Sequence, residues 1–174
     1  MKKYSVKAVR TFHGHDGYGW ECNLYNVQNK KIAVVVEDGW GGDLKFHWAD
    51  TELPRVETDG VNGEDAPVKY KDTPAQSALR THCLTLPKWS CNGKMRHTCM
   101  DIYIGDLVSE ALTLKEIKKT LKKLAILDDG KIYTYNTVPS HVTTRRSIEK
   151  KRPRAIFLND LPMSEVVAIW KTAA

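Results

Sequence analysis

Residues 30 to 48 read KKIAVVVEDGWGGDLKFHW, and the parsing of this stretch decides the fold. The run IAVVV at 32–36 is apolar and rich in β-branched residues, as a buried strand is. LKFHW at 44–48 then alternates, with Leu44, Phe46 and Trp48 on one side and Lys45 and His47 on the other, as a half-buried strand does. Between them DGWGG offers glycines that tolerate positive φ, so the stretch reads as a hairpin with Gly39, Gly41 and Gly42 in its turn. Glu37 and Asp38 have no catalytic partner nearby in the sequence. Trp40, at the tip, is expected to fold back on the sheet, with contact to a partner as the alternative.

Working outward from the hairpin, QN at 28–29 before KK suits a tight turn, because asparagine tolerates the left-handed conformation. GYGWECNLYNV at 17–27 is then a second strand, and KYSVKAVRTF at 3–12 a first, with Tyr4, Val6, Ala8 and Phe12 assigned to one face. Residues 1–50 therefore read as an antiparallel β-meander. From 49 to 74 the chain ADTELPRVETDGVNGEDAPVKYKDTP carries three prolines, two glycines and seven acids without periodicity, so 51–75 reads as an acidic connector.

The remainder, 76–174, reads as helical and basic. Thr73 caps a helix opened by Pro74, with Ala78, Leu79 and Cys83 on one face. LPKWSCNGKMRHT at 86–98 reads as a loop. CMDIYIGDLVSEAL then aligns Ile104, Leu107, Val108, Ala111 and Leu112. TLKE at 113–116 matches a capping box and predicts a fresh helix, whose apolar face is Leu114, Ile117, Leu121 and Leu124. AILDDGKIYTYN at 125–136 is a hairpin across Asp-Gly. RRSIEKKRPR at 145–154 is a basic loop, and a final helix begins at an Asn159 or Asp160 cap with Pro162 in its first turn. That helix presents Val166, Val167, Ile169 and Trp170 as its apolar surface. The expectation is one α+β domain over 1–174, its N-terminal meander packed against helices, followed by the basic helix, hairpin and final helix.

A chain of 174 residues with 41% hydrophobic and 28% charged residues is of ordinary globular composition. Its longest apolar run, IAVVV, falls far short of the roughly 20 residues that span a bilayer. The start MKKYSVKAVRTFHG is basic but lacks the apolar core of an export signal, so a cytoplasmic setting with free thiols is expected. The formal charge is +6, and the surplus lies in the second part of the chain.

Three constellations bear on chemistry. Cys83, Cys91, His97 and Cys99 are of the right kind for zinc, yet the intervals Cys83-x7-Cys91 and Cys91-x5-His97-x-Cys99 depart from the close ligand pairs of structural sites. They remain weak metal candidates, and no cofactor is expected. His13, His15 and Asp16 surround a glycine-rich turn with no Ser or Cys nucleophile in a recognisable setting. Neither glycine stretch follows the phosphate-loop or dinucleotide pattern.

The third constellation is basic. Lys115, Lys118, Lys119, Lys122 and Lys123, with Arg145, Arg146, Lys150, Lys151, Arg152 and Arg154, form a candidate surface for nucleic acid or an acidic partner. The helix-then-hairpin order around them resembles a winged helix.

The stretch RTFHGHDGYGWECNLYNVQNKKIAVVVEDGWGGDLKFHW at 10–48 resembles the N-terminal region of small proteins encoded by bacteriophages and other mobile elements, which share a TF-x-G strand end, LY…KK-x-A-x-V and DG-x-GG. A looser echo runs through LTLP and MDIYIGDLVSEAL into the lysine-rich helix. The resemblance supplies no catalytic residues. It implies a non-enzymatic accessory protein in the host bacterial cytoplasm that binds and modulates a host protein or ribonucleoprotein complex, a defence complex among them. Direct binding of DNA or RNA through the basic region is the alternative, and a zinc-dependent enzyme a more distant one. No membrane partner is expected.

Overall fold

The cross-strand rows Cys22–Val35–Phe46 and Leu24–Ala33–Trp48 form the inner face of a four-stranded antiparallel sheet, ordered β1-β2-β3-β4. Its strands are β1 (Ser5–His13), β2 (Tyr18–Tyr25), β3 (Lys31–Glu37) and β4 (Lys45–Trp48). The computed structural model describes residues 4–14, 17–50, 72–91 and 93–173; the connector expected at 51–75 lies outside them except for 72–75. The chain is thus α+β with an N-terminal meander, and it divides into two units, Met1–Ala111 and Leu112–Ala174.

In unit 1, Cys22, Leu24, Ala33 and Val35 are fully buried or nearly so, and Phe46 stacks on Trp48 with centroids 5.2 Å apart. The turn before β3 follows the expectation. Asn29 adopts φ +62, and the Asn26 side chain accepts from the Gln28 and Lys30 N–H groups, both at 3.0 Å.

Strand β1 departs from it. Between Lys7 and Arg10 the register slips against β2, and Ala8 takes φ +55 at this bulge. One extra residue reverses the alternation. Tyr4 and Val6 stay inward, Ala8 is exposed, and Phe12 turns to the opposite face, where it lies over Gly19.

Helix α1 (Pro74–Leu84) begins as expected, with Thr73 Oγ1 accepting from Gln76 N–H at 3.2 Å. Leu79 and Cys83 are buried, whereas Ala78 is exposed. The 86–98 segment is not a plain loop but contains a hairpin, β5 (Trp89–Cys91) with β6 (Lys94–Arg96), turning at Gly93 with φ +72. The Asn-Gly pair at 92–93 is the sequence signal for this turn.

Helix α2 runs unbroken from Met100 to Thr120, so the capping box at Thr113 is not used. A cap works only where the chain is non-helical, and SEAL at 109–112 contains no residue that breaks a helix. The helix also stops short of Leu124, which opens β7 (Leu124–Asp128) instead.

Unit 2 is built on a three-stranded sheet ordered β8-β7-β9, with β8 at Lys131–Tyr135 and β9 at Ile156–Phe157. Asp129 (φ +47) and Gly130 (φ +72) form the expected Asp-Gly turn. Helix α3 (Val142–Lys151) replaces the basic loop, and its Ile148 packs on Leu124 and Ile126, flanked by Tyr133, Tyr135 and Phe157. Apolar Ile148 in a field of cations is the anchor that makes this segment helical.

Asn159 does not cap helix α4 (Met163–Ala173). Its Nδ2 donates to the Leu121 and Lys123 carbonyls, each at 3.0 Å, and its Oδ1 accepts from Ala125 N–H at 2.8 Å. This one side chain satisfies the backbone where α2 ends and β7 begins. The Pro162 carbonyl instead accepts from Glu165 and Val166 at the start of α4. No helix among the described residues is long and apolar enough to cross a membrane.

Candidate functional site

The two units differ sharply in charge. Residues 1–111 hold 14 Lys and Arg against 15 Asp and Glu, and residues 112–174 hold 13 against 6, so the net positive charge of the chain resides in unit 2.

Within unit 2 the eleven basic candidates fall into two classes. Arg145 and Arg152 are engaged by the fold. Arg145 Nη2 donates to both Asp160 carboxylate oxygens at 2.7 Å, and its guanidinium lies 4.3 Å from the Phe157 ring centroid. Arg152 pairs with Asp128 and lies 4.5 Å from the Tyr133 centroid. The Asp128 hydrogen bond, with a further one to Tyr133, raises the Arg152 pKa.

The other nine, Lys115, Lys118, Lys119, Lys122, Lys123, Arg146, Lys150, Lys151 and Arg154, are exposed, and among the described residues none makes an ion pair. Lys115, Lys118 and Lys119 recur at i, i+3 and i+4 on the last turns of α2, on a side away from buried Ile117. Lys122 and Lys123 follow in the turn where Asn159 holds the carbonyls. Arg146 and Lys150 stand one turn apart on α3, on the side opposite buried Ile148. The hairpin is not a free wing, because β7 is the centre of the sheet.

The metal candidates are dispersed over several elements. Cys83 is buried on α1, where loss of solvent pushes its pKa up to about 11, while His97 and Cys99 are exposed before α2. Cys91 belongs to β5, and its side chain lies outside what is described. Among the described residues no three His, Cys, Asp or Glu side chains gather where a metal ion could sit. His13 packs on Tyr18 with centroids 4.3 Å apart, and His15 and Asp16 lie outside the described residues.

The glycine-rich loop after β3 has a structural account. Glu37 Oε1 accepts from Gly39 N–H at 2.9 Å, and Asp38 Oδ1 from Trp40 N–H at 3.1 Å. Asp38 also pairs with Lys45, which is the main reason its carboxyl is held below the usual range. Gly39 and Gly41 take positive φ as expected, but Gly42 does not. Gly14 meets this loop main chain to main chain: a β-carbon on Gly14 would lie 2.5 Å from the Asp38 carbonyl oxygen and 2.8 Å from Gly39 Cα. Trp40 is not buried against the sheet as expected, with 61% of its surface exposed.

The sequence reading also passed over a cleft of about 540 Å³ in unit 1, between the end of α1, β5 and α2. All of its lining falls within residues 82–110, but it is divided among the end of α1, the β5–β6 region and α2, so only the α2 stripe Ile102, Tyr103, Asp106, Leu107 and Glu110 carried a periodic signal. Compared with protein-family models, curated proteins and solved structures, the chain matches none of them.

Proposed function

We propose that the protein is a non-enzymatic accessory protein of the phage or mobile-element kind, which binds a nucleic-acid-bearing host complex in the bacterial cytoplasm and docks on its phosphates through unit 2. The observation that carries this reading is the segregation of charge: the nine exposed candidates make no ion pair among the described residues of a 63-residue unit that holds 13 basic against 6 acidic residues, whereas the other unit is charge-balanced. Such a surface displaces condensed counterions from a polyanion, giving binding that is salt-sensitive and tolerant of sequence.

The two engaged arginines support the same reading by contrast. A fold that spends Arg145 and Arg152 on Asp160 and Asp128 has acids available for pairing, yet among the described residues Lys115, Lys118, Lys119, Arg146 and Lys150 make no ion pair.

Fluorescence anisotropy with a labelled single-stranded RNA and a duplex DNA, over a salt series, tests the docking. Binding should weaken steeply with salt, and K118E/K119E should lower the logarithmic slope by roughly 1.4 to 1.8 if both lysines contact phosphate. Affinity that is absent at low salt, or unchanged in the variant, would overturn it. The wider reading is tested by capture with tagged protein from infected cells, with and without nuclease. Recovery of a specific complex that nuclease releases is the expected result.

A further inference from the structure

The unit 1 cleft lies in the size range of small-ligand sites and combines an apolar floor with a few convergent polar groups. Leu86, Pro87, Ile102 and Leu107 supply the floor, and the rings of Trp89 and Tyr103 line it. The ring of Tyr103 is fixed by its neighbours: its hydroxyl meets His82 Nε2 at 3.3 Å, and it makes a T-shaped contact with buried Tyr4 at 6.3 Å between centroids. Thr98 donates to the Pro87 carbonyl at 3.0 Å and ties the loop wall in place. The floor is therefore ordered before any ligand arrives.

Charge selects the ligand. Asp106 and Glu110 stand one helical turn apart on the α2 wall, both exposed, and among the described residues neither makes an ion pair. The C-terminal end of α1, which carries the partial negative charge of its helix, closes the same cleft at His82. Against these, Lys88 is the one cation of the lining. An anion is disfavoured, and an uncharged apolar group would leave both carboxylates unused.

We infer that this cleft binds an arginine side chain presented by a peptide segment of a protein partner, its guanidinium stacked on Trp89 or Tyr103 and paired with Asp106 and Glu110. A guanidinium is flat, weakly hydrated and forked, so it stacks on an aromatic ring and donates in two directions at once. A lysine ammonium offers a point charge and no plane. The floor beyond the rings, Leu86 and Leu107, accommodates an apolar neighbour in the peptide. This inference does not depend on how unit 2 binds its partner.

The test is an NMR titration of the full chain with acetyl-Leu-Arg-Leu-amide, following the Trp89 indole and His82 ring signals. Two comparison peptides replace arginine by citrulline, which keeps the shape and removes the charge, and by lysine. Arginine should bind at least about tenfold tighter than citrulline and measurably tighter than lysine, and D106N/E110Q should abolish that preference. Equal affinity for the citrulline peptide, no movement of the Trp89 and His82 signals at millimolar peptide, or an unchanged preference in D106N/E110Q would each overturn the proposal. Both carboxylates are exposed, so the double variant should keep its helical circular dichroism; should it unfold, the citrulline comparison on the native chain decides by itself.

Discussion

In unit 1 Gly14 of the β1–β2 link approaches Asp38 and Gly39 of the loop after β3 main chain to main chain. In unit 2 the corresponding work falls to side chains: Asn159 holds three backbone groups at the α2–β7 junction, Arg145 of α3 pairs with Asp160, and Arg152 after α3 pairs with Asp128 at the end of β7. The difference shows what each kind of contact leaves in a sequence. Backbone contact requires glycine, which is visible as a motif. Side-chain contact uses Asn and Arg, which look like any surface residue until their partners are known.

The sharpest way to break this comparison is to remove the centre of one unit. Ile126→Ala deletes a fully buried side chain from the unit 2 core and should destabilise it by about 2–5 kcal/mol. Hydrogen exchange should then show lost protection in β7 and α3 with β2 and β3 retained; equal loss in both units would mean that they unfold together. Gly14→Ala attacks the other side, since its β-carbon has nowhere to go against main chain. The expected loss is about 2 kcal/mol, read as a shift of the urea midpoint, with the change confined to unit 1.

Two adjacent arginines sharpen the contrast on a finer scale. Arg145→Ala removes a paired, ring-stacked guanidinium and should lower stability by about 1–2 kcal/mol. Arg146→Ala should change stability by less than about 0.5 kcal/mol but weaken polyanion binding. Thermal melts and anisotropy on both variants separate the roles, and a reversed outcome would move the binding surface.

The smallest effect expected is on the alkaline side. Burial raises the pKa of Tyr4, Cys22, Cys83 and Tyr103, the two thiols to about 11, and all four groups belong to unit 1. In the unfolded chain the thiols ionise near 8.5 and the phenols near 10, values the fold holds back. Their contribution is fully present below those unfolded values and is lost as pH rises toward the folded ones. Methyl signals of Val35 should therefore show loosening between about pH 9 and 11 before those of Val166 do.

Local rules are visible in the residues themselves. The alternation of Leu44, Phe46 and Trp48, the Asp-Gly turn, the Thr73–Pro74 helix start and the lysine stripe on the side away from Ile117 each follow from the conformations open to those residues and from which neighbours their periodicity aligns. That much made the α+β class and the N-terminal meander legible from sequence alone. What only the tertiary structure decided involves partners distant in the chain. The bulge at Ala8 turned Phe12 outward, Asn159 met the end of α2 from 36 residues away at Lys123, and two aspartates took Arg145 and Arg152 out of the basic surface. Each of these depends on which backbone groups and charges the packed chain leaves unsatisfied, and that balance exists only after the distant segments have met.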